Sequence, residues 1–183
     1  MRTADCDILI VPGLDSSGPD HWQTRWEGRL STARRVEQDD WERPRLDLWA
    51  ARLVEEVARA ERPAVLVAHS LGVPLVAHAA PALALGRVRG AFLVAMPDTE
   101  RPDLPEAIDR AFAPLPREPL PFPSLLVASR TDPYCAFERA EDLAYAWDSA
   151  LVDAGDAGHL NAASGHGPWP EGLMRFAGFL RVL

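Results

Sequence analysis

Two stretches, Ile8-Leu9-Ile10-Val11 and Val65-Leu66-Val67-Ala68, are runs of strand-forming and small apolar residues with no polar residue at alternate positions. A strand with one wet face alternates; one that does not is covered on both faces. Such strands belong to parallel sheets flanked by helices, so these runs restrict the chain to an α/β architecture. Extended to 7–11 and 64–68, they are joined by strand-like segments at 35–38, 88–95, 124–129 and 150–153. Helical stretches lie between and after them. Segment 18–30 carries Trp22 and Trp26 one turn apart, and 44–60 sets Leu46, Leu53, Val54 and Val57 on roughly one face. Segment 72–85 has Pro74 in its first turn, where proline is tolerated. Segments 137–147 and 170–180 complete the set. The alternation predicts about six mostly parallel strands with helices on both faces.

These elements use most of the 183 residues. One domain over 1–183 is expected, with no insertion large enough for a separate lid domain. Two proline-rich loops, 97–105 and 114–123, are the segments left to shape a pocket, which should be shallow.

Composition removes whole chemistries. All 19 basic residues are Arg, because the chain contains no Lys. Schiff-base lysines, the P-loop lysine, the protein-kinase strand lysine and a Ser-Lys dyad are therefore excluded. The net charge of −8 argues against nucleic acid or anionic membrane as a partner. Cys6 and Cys135 show neither CxxC nor Cys/His ligand spacing, so neither a disulfide framework nor a zinc ribbon is expected, and both read as small, partly buried residues. The longest apolar stretch, 73–85, is broken by Pro74, His78 and Pro81 and is too short to span a bilayer. No targeting segment is legible, and a cytoplasmic location is expected.

The strongest local feature is Val65-Leu66-Val67-Ala68-His69-Ser70-Leu71-Gly72, a buried strand that enters a small-x-Ser-x-Gly turn and then a helix. A nucleophile elbow requires this context. The turn is so tight that the residues two before and two after the serine must be small. Gly72 meets that need, and Ala68 stands where the first Gly is usual. The Ser70 hydroxyl then sits at the carboxyl end of the sheet and at a helix N-terminus that favours a developing oxyanion. A serine that merely starts a helix would read the same in isolation.

A serine nucleophile needs a base, and the base an orienting acid, in the chain order Ser, acid, His. Asp132 follows strand 124–129, and its rival Asp98 follows strand 88–95. His159 lies in a Gly-rich loop after strand 150–153; its rival His166 lies further from the strand end. Strand order favours Asp132 and His159. His69 adjoins the serine but should point away from it, His78 should pack within its helix, and His21 is placed to line the site. Of the six Trp residues most should be core, with Trp169 a candidate pocket wall. An oxyanion hole needs two backbone N–H groups. Leu71 should supply one, and the loop after the first strand the other, from Leu14 or else Asp15.

At these residues the sequence resembles a known family. Val11-Pro12-Gly13-Leu14-Asp15-Ser16-Ser17-Gly18 with His21-Trp22-Gln23 and Trp26 is similar to the opening of the small serine hydrolases related to retinoblastoma-binding protein 9 and the bacterial YdeN proteins. The likeness continues through Asp40-Trp41, Pro44, Ala68-His69-Ser70-Leu71-Gly72, Pro97-Asp98 and Pro121-Phe122-Pro123-Ser124. It ends with Ala128-Ser129, Asp132-Pro133-Tyr134, Gly158-His159-Leu160-Asn161, Gly165, Gly167, Trp169 and Pro170. The resemblance implies an α/β-hydrolase fold with Ser70, Asp132 and His159 as the triad, and leaves the natural substrate undefined. The Leu-x-Cys-x-Glu segment linked to pocket-protein binding is absent, so no such partner is expected.

The expected function is hydrolysis of small esters or activated acyl compounds through an acyl-enzyme, with a small-molecule acyl substrate and neither metal nor cofactor. Amidase or peptidase action by the same mechanism is one alternative. A binding protein on a hydrolase scaffold is the other.

Overall fold

In the computed structural model, which describes residues 1–83 and 86–183, six strands hydrogen-bond into one sheet. They are β1 (Asp7–Val11), β2 (Ala33–Arg35), β3 (Ala64–His69), β4 (Val88–Val94), β5 (Ser124–Ala128) and β6 (Ala150–Asp153). Their order is β2-β1-β3-β4-β5-β6, and every neighbouring pair is parallel. The central strands are buried on both faces, which is why β1 and β3 lack alternation.

Two apolar layers divide the side chains by parity along each strand. Leu9, Val11, Leu66, Ala68, Leu93 and Leu126 face one way. They pack on α2 (Leu46–Ala58), α3 (Gly72–Ala79) and α4 (Phe137–Ala146). Ile8, Ile10, Val65, Val67, Phe92 and Val127 face the other way, onto α1 (Trp22–Glu27) and α5 (Pro170–Val182). That second layer is aromatic: Trp26 stacks on Trp169 and on Phe176.

The elements expected from the sequence are present with shifted ends. β2 lies at Ala33–Arg35 rather than 35–38, because the pairing with β1 runs from Ile8 opposite Ala33 to Ile10 opposite Arg35. α1 is confined to six residues, since His21 is still extended and caps the helix by accepting from the Gln23 N–H. α3 stops at Ala79 and gives way to a 3-10 turn at Ala80–Ala82. Pro81 has no N–H to return to the preceding turn. The last two residues of the helix expected over 72–85 lie outside the described residues.

Two glycines are fixed by contact. A Cβ on Gly72 would lie 2.3 Å from the Val11 carbonyl oxygen and 2.8 Å from that of Pro12. A Cβ on Gly13 would lie 2.8 Å from the Leu71 nitrogen and 2.9 Å from Ser70 Cβ. The β1 loop and the β3 turn therefore touch backbone to backbone.

Candidate active site

The loops after β1, β3, β5 and β6 leave the carboxyl edge of the sheet side by side, where open α/β sheets hold their ligands. Ser70 takes a left-handed φ of 53°, a strained conformation for a residue with a Cβ. The turn is pinned by its own N–H, which donates to the Val94 carbonyl at the end of β4 (3.0 Å).

The structure brings Ser70, His159 and Asp132 together. Ser70 Oγ lies 2.9 Å from His159 Nε2, and His159 Nδ1 lies 2.9 and 3.0 Å from the two Asp132 carboxylate oxygens. The carboxylate side chain is 3% exposed and the imidazole 9%. Asp132 Oδ1 also accepts the Tyr134 N–H (2.9 Å), and the Tyr134 ring stands edge-on to His159 at 4.6 Å between centroids. With Nδ1–H donating to Asp132, the neutral imidazole presents a lone pair on Nε2 to the serine hydroxyl. His159 follows Gly158, which has φ 57°, and a Cβ there would strike Ser164 at 2.7 Å.

The rival residues are engaged elsewhere. Asp98 faces Arg139 and accepts the Glu100 N–H. His166 lies beside Ser164, 3.3 Å from its hydroxyl. His78 Nε2 meets the Phe112 carbonyl at 3.1 Å. Burial pushes the thiols of Cys6 and Cys135 up to about 11 and about 12, leaving both protonated and unreactive at neutral pH. Among the described residues, no group of three or more His, Cys, Asp or Glu is arranged to hold a metal ion.

Two further imidazoles adjoin Ser70 and His159. His69 donates from Nε2 to the His159 carbonyl oxygen (2.9 Å), tying the turn after β3 to the loop after β6. His21 stands edge-on to His69 at 4.7 Å, and His69 is 4.9 Å from His159. Burial pushes His69 well below the ordinary histidine range and His21 down to about 4, so both are neutral at neutral pH.

The loop after β1 supplies the other side of the cavity. The Asp15 N–H donates to the Trp41 carbonyl (3.0 Å) and is thereby occupied. The N–H groups of Leu14 and Leu71 have no acceptor among the described residues. The cavity at Ser70 measures about 290 Å³. Leu14, Pro97, Leu104, Pro105 and Ile108 give it apolar lining, and His21, Tyr134 and Asn161 also line it. The loop over 97–105 thus contributes to the pocket as expected. The loop over 114–123 does not: its Leu120–Pro123 end lines a separate cleft of about 800 Å³ against α5. Nor is Trp169 a pocket wall, since it is buried against Trp22 and Trp26 with Gly172 beneath its ring.

Among the described residues, no helix is long and apolar enough to cross a membrane. A family model described as serine hydrolase matches residues 8–178. The chain is similar to a YdeN-like hydrolase from Pectobacterium atrosepticum, with 36% identity and a TM-score of 0.86 over 98% of this chain and 93% of that one. It is also similar to the ydeN gene product of B. subtilis, with 23% identity and a TM-score of 0.80 over 96% and 99%. The esterase domain of a Rhodothermus marinus protein shares 20% identity at a TM-score of 0.66 over 91% and 83%. These last two are likenesses of fold alone. No curated protein matches the chain.

Proposed function

The chain belongs to the serine hydrolase family as a YdeN-like member, and from that membership we propose that it cleaves small esters or activated acyl compounds with Ser70 as nucleophile, His159 as general base and acid, and Asp132 as orienting acid. One observation carries the reading: an unbroken hydrogen-bonded line from carboxylate to imidazole to hydroxyl, with contacts of 2.9 Å at both joints.

Ser70 Oγ attacks the acyl carbonyl as its proton passes to His159 Nε2. Asp132 keeps the remaining proton on Nδ1 and stabilises the imidazolium. The N–H groups of Leu71 and Leu14 receive the oxyanion, worth about 3 kcal/mol per donor. His159 returns the proton to the leaving alkoxide, and the acyl group stays on Ser70. Water, deprotonated by the same imidazole, attacks the acyl-enzyme and frees the acid. The 290 Å³ cavity suits a small acyl group along the apolar wall of Leu104 and Ile108.

A fluorophosphonate probe tests the assignment. The intact protein should carry one phosphonyl group on Ser70, and Ser70→Ala none. A panel of p-nitrophenyl esters and aminoacyl amides then separates esterase from amidase action. Equal labelling of Ser70→Ala would overturn the mechanism, and labelling without turnover on any member of the panel would favour a binding role.

A further inference from the structure

The loop after β1 holds two consecutive residues with side chains, Asp15 and Ser16, both at φ 61°. Left-handed conformations cost free energy for such residues and persist where the surroundings over-determine them. The N–H groups of Asp15 and Ser16 donate to the Trp41 carbonyl (3.0 Å) and the Gly13 carbonyl (3.1 Å), and a side-chain restraint is added by Arg35, at the end of the edge strand β2. All five N–H groups of its guanidinium are used. Nη1 donates to Ser16 Oγ (2.9 Å) and to the Ser17 carbonyl (3.0 Å). Nη2 donates to Thr24 Oγ1 (2.7 Å) and Glu27 Oε2 (2.9 Å), and Nε to the same Glu27 oxygen (3.2 Å). The other Glu27 oxygen accepts the Arg35 backbone N–H (3.0 Å). One face of the guanidinium fork is thus locked to α1 and the other to the loop. The side chain is only 12% exposed, so these bonds are shielded from water.

The fully buried Gln23 holds the loop from its inner side. It accepts the Ser17 hydroxyl (2.6 Å) and donates to the carbonyls of Val67 (3.0 Å) and Val11 (3.3 Å). Besides its backbone bonds, the loop therefore has a side-chain anchor in the sheet, Arg35, and another on α1, Gln23.

We propose that Arg35 is a positioning residue for the oxyanion hole: its two bonds to Ser16 and Ser17 hold the strained turn that aims the Leu14 N–H at the reacting carbonyl. The proposal rests on the reading of Ser70 as nucleophile and of this loop as an oxyanion donor. Arg35 does not line the cavity at Ser70, so its removal should act on the transition state and leave ground-state binding alone. Lys carries its donors on one atom and cannot span Glu27 and the loop together.

The test is Arg35→Met, with active sites titrated by the fluorophosphonate probe so that kcat is expressed per competent Ser70. The expected result is a fall in kcat of about 30-fold with KM within about twofold, because small misplacements of catalytic groups have effects of this order. The affinity of an alkylboronic acid, which forms a tetrahedral adduct on Ser70, should fall in parallel. Arg35→Lys should remain impaired. Millimolar guanidinium should restore part of the activity of Arg35→Met. An unchanged kcat per titrated site would overturn the proposal, even if fewer sites were titrated, because Arg35 would then serve folding alone. A wild-type protein without labelling or turnover would instead refute the underlying functional reading. If Arg35→Met does not fold, Ser16→Ala removes one acceptor and keeps the Arg35–Glu27 pair. A threefold loss of kcat is expected there, and full activity refutes the role.

Discussion

Acid should destabilise this protein well above the range in which its carboxylates titrate, and His21 is the group that makes the effect measurable. Its Nδ1 accepts the Gln23 N–H at the start of α1 (3.2 Å), which leaves the neutral proton on Nε2. Burial first, then His159 and Arg35, push it from an ordinary 6.5 down to about 4. An unfolded chain therefore takes up a proton near pH 6.5 that the folded chain refuses until about pH 4. The stability tied to neutral His21 is fully present above pH 6.5 and is lost as the pH falls from 6.5 to 4. The whole gap corresponds to roughly 3 kcal/mol, of which about 2 kcal/mol disappears between pH 7 and pH 5. His69, held low mainly by burial, acts in the same direction and enlarges the loss. Asp142 and Asp153, held below 3.8 by Arg117 and Arg130, contribute stability that is lost only at lower pH. Urea unfolding at pH 7 and pH 5 measures the difference. Wild type should lose at least about 2 kcal/mol, and His21→Asn, which keeps a cap acceptor, should lose about 2 kcal/mol less. Identical pH dependence in the two proteins would refute the assignment of a buried neutral imidazole at this position.

Three other outcomes follow from contacts already described. Gly72→Ala sets a Cβ against two carbonyl oxygens that cannot retreat, and should cost about 3 kcal/mol in a thermal or urea melt; an unchanged midpoint would mean that the β1 loop yields. Gln23→Leu strands the Ser17 hydroxyl and the carbonyls of Val11 and Val67, at a cost of roughly 2–4 kcal/mol in the same assay, and a neutral result would show that water replaces the amide. Asp132→Asn should lower kcat by about 10³–10⁴ with the fold intact by circular dichroism, since an amide no longer enforces the Nδ1–H tautomer; a loss under tenfold would point to another acid.

The parts of the molecule legible in its sequence are those set by one-dimensional order. β3 with Ser70, the loop after β5 with Asp132 and the loop after β6 with His159 were readable because a strand end fixes where the next side chain emerges. Burial on both faces gave β1 and β3 their unbroken apolar runs. β2 starts two residues and ends three residues before its expected bounds, because it is a short edge strand whose Arg34 and Arg35 serve ion pairs and not a core, so no periodicity marks it. The role of Arg35 had no sequence signal. Its partners at 16, 17, 24 and 27 converge only once α1 folds back against the β1 loop. The segment over 114–123 resembled pocket material by its prolines alone, and proline content reports loop stiffness without saying which face the loop covers. The Asp15 N–H is taken up by the Trp41 carbonyl, a contact between loops that spacing does not encode.

The bond from His69 to the His159 carbonyl has a consequence for how Ser70 and His159 fluctuate. His69 is chain neighbour to Ser70, and the carbonyl belongs to His159, so the strut links the two loops whose side chains meet at 2.9 Å. When either loop breathes, the strut carries the other along. The excursion should then be shared, and the separation between oxygen and nitrogen should change less than either position does. Tolerance of thermal motion is thereby built into the distance that matters, with no need to freeze the loops that bear it.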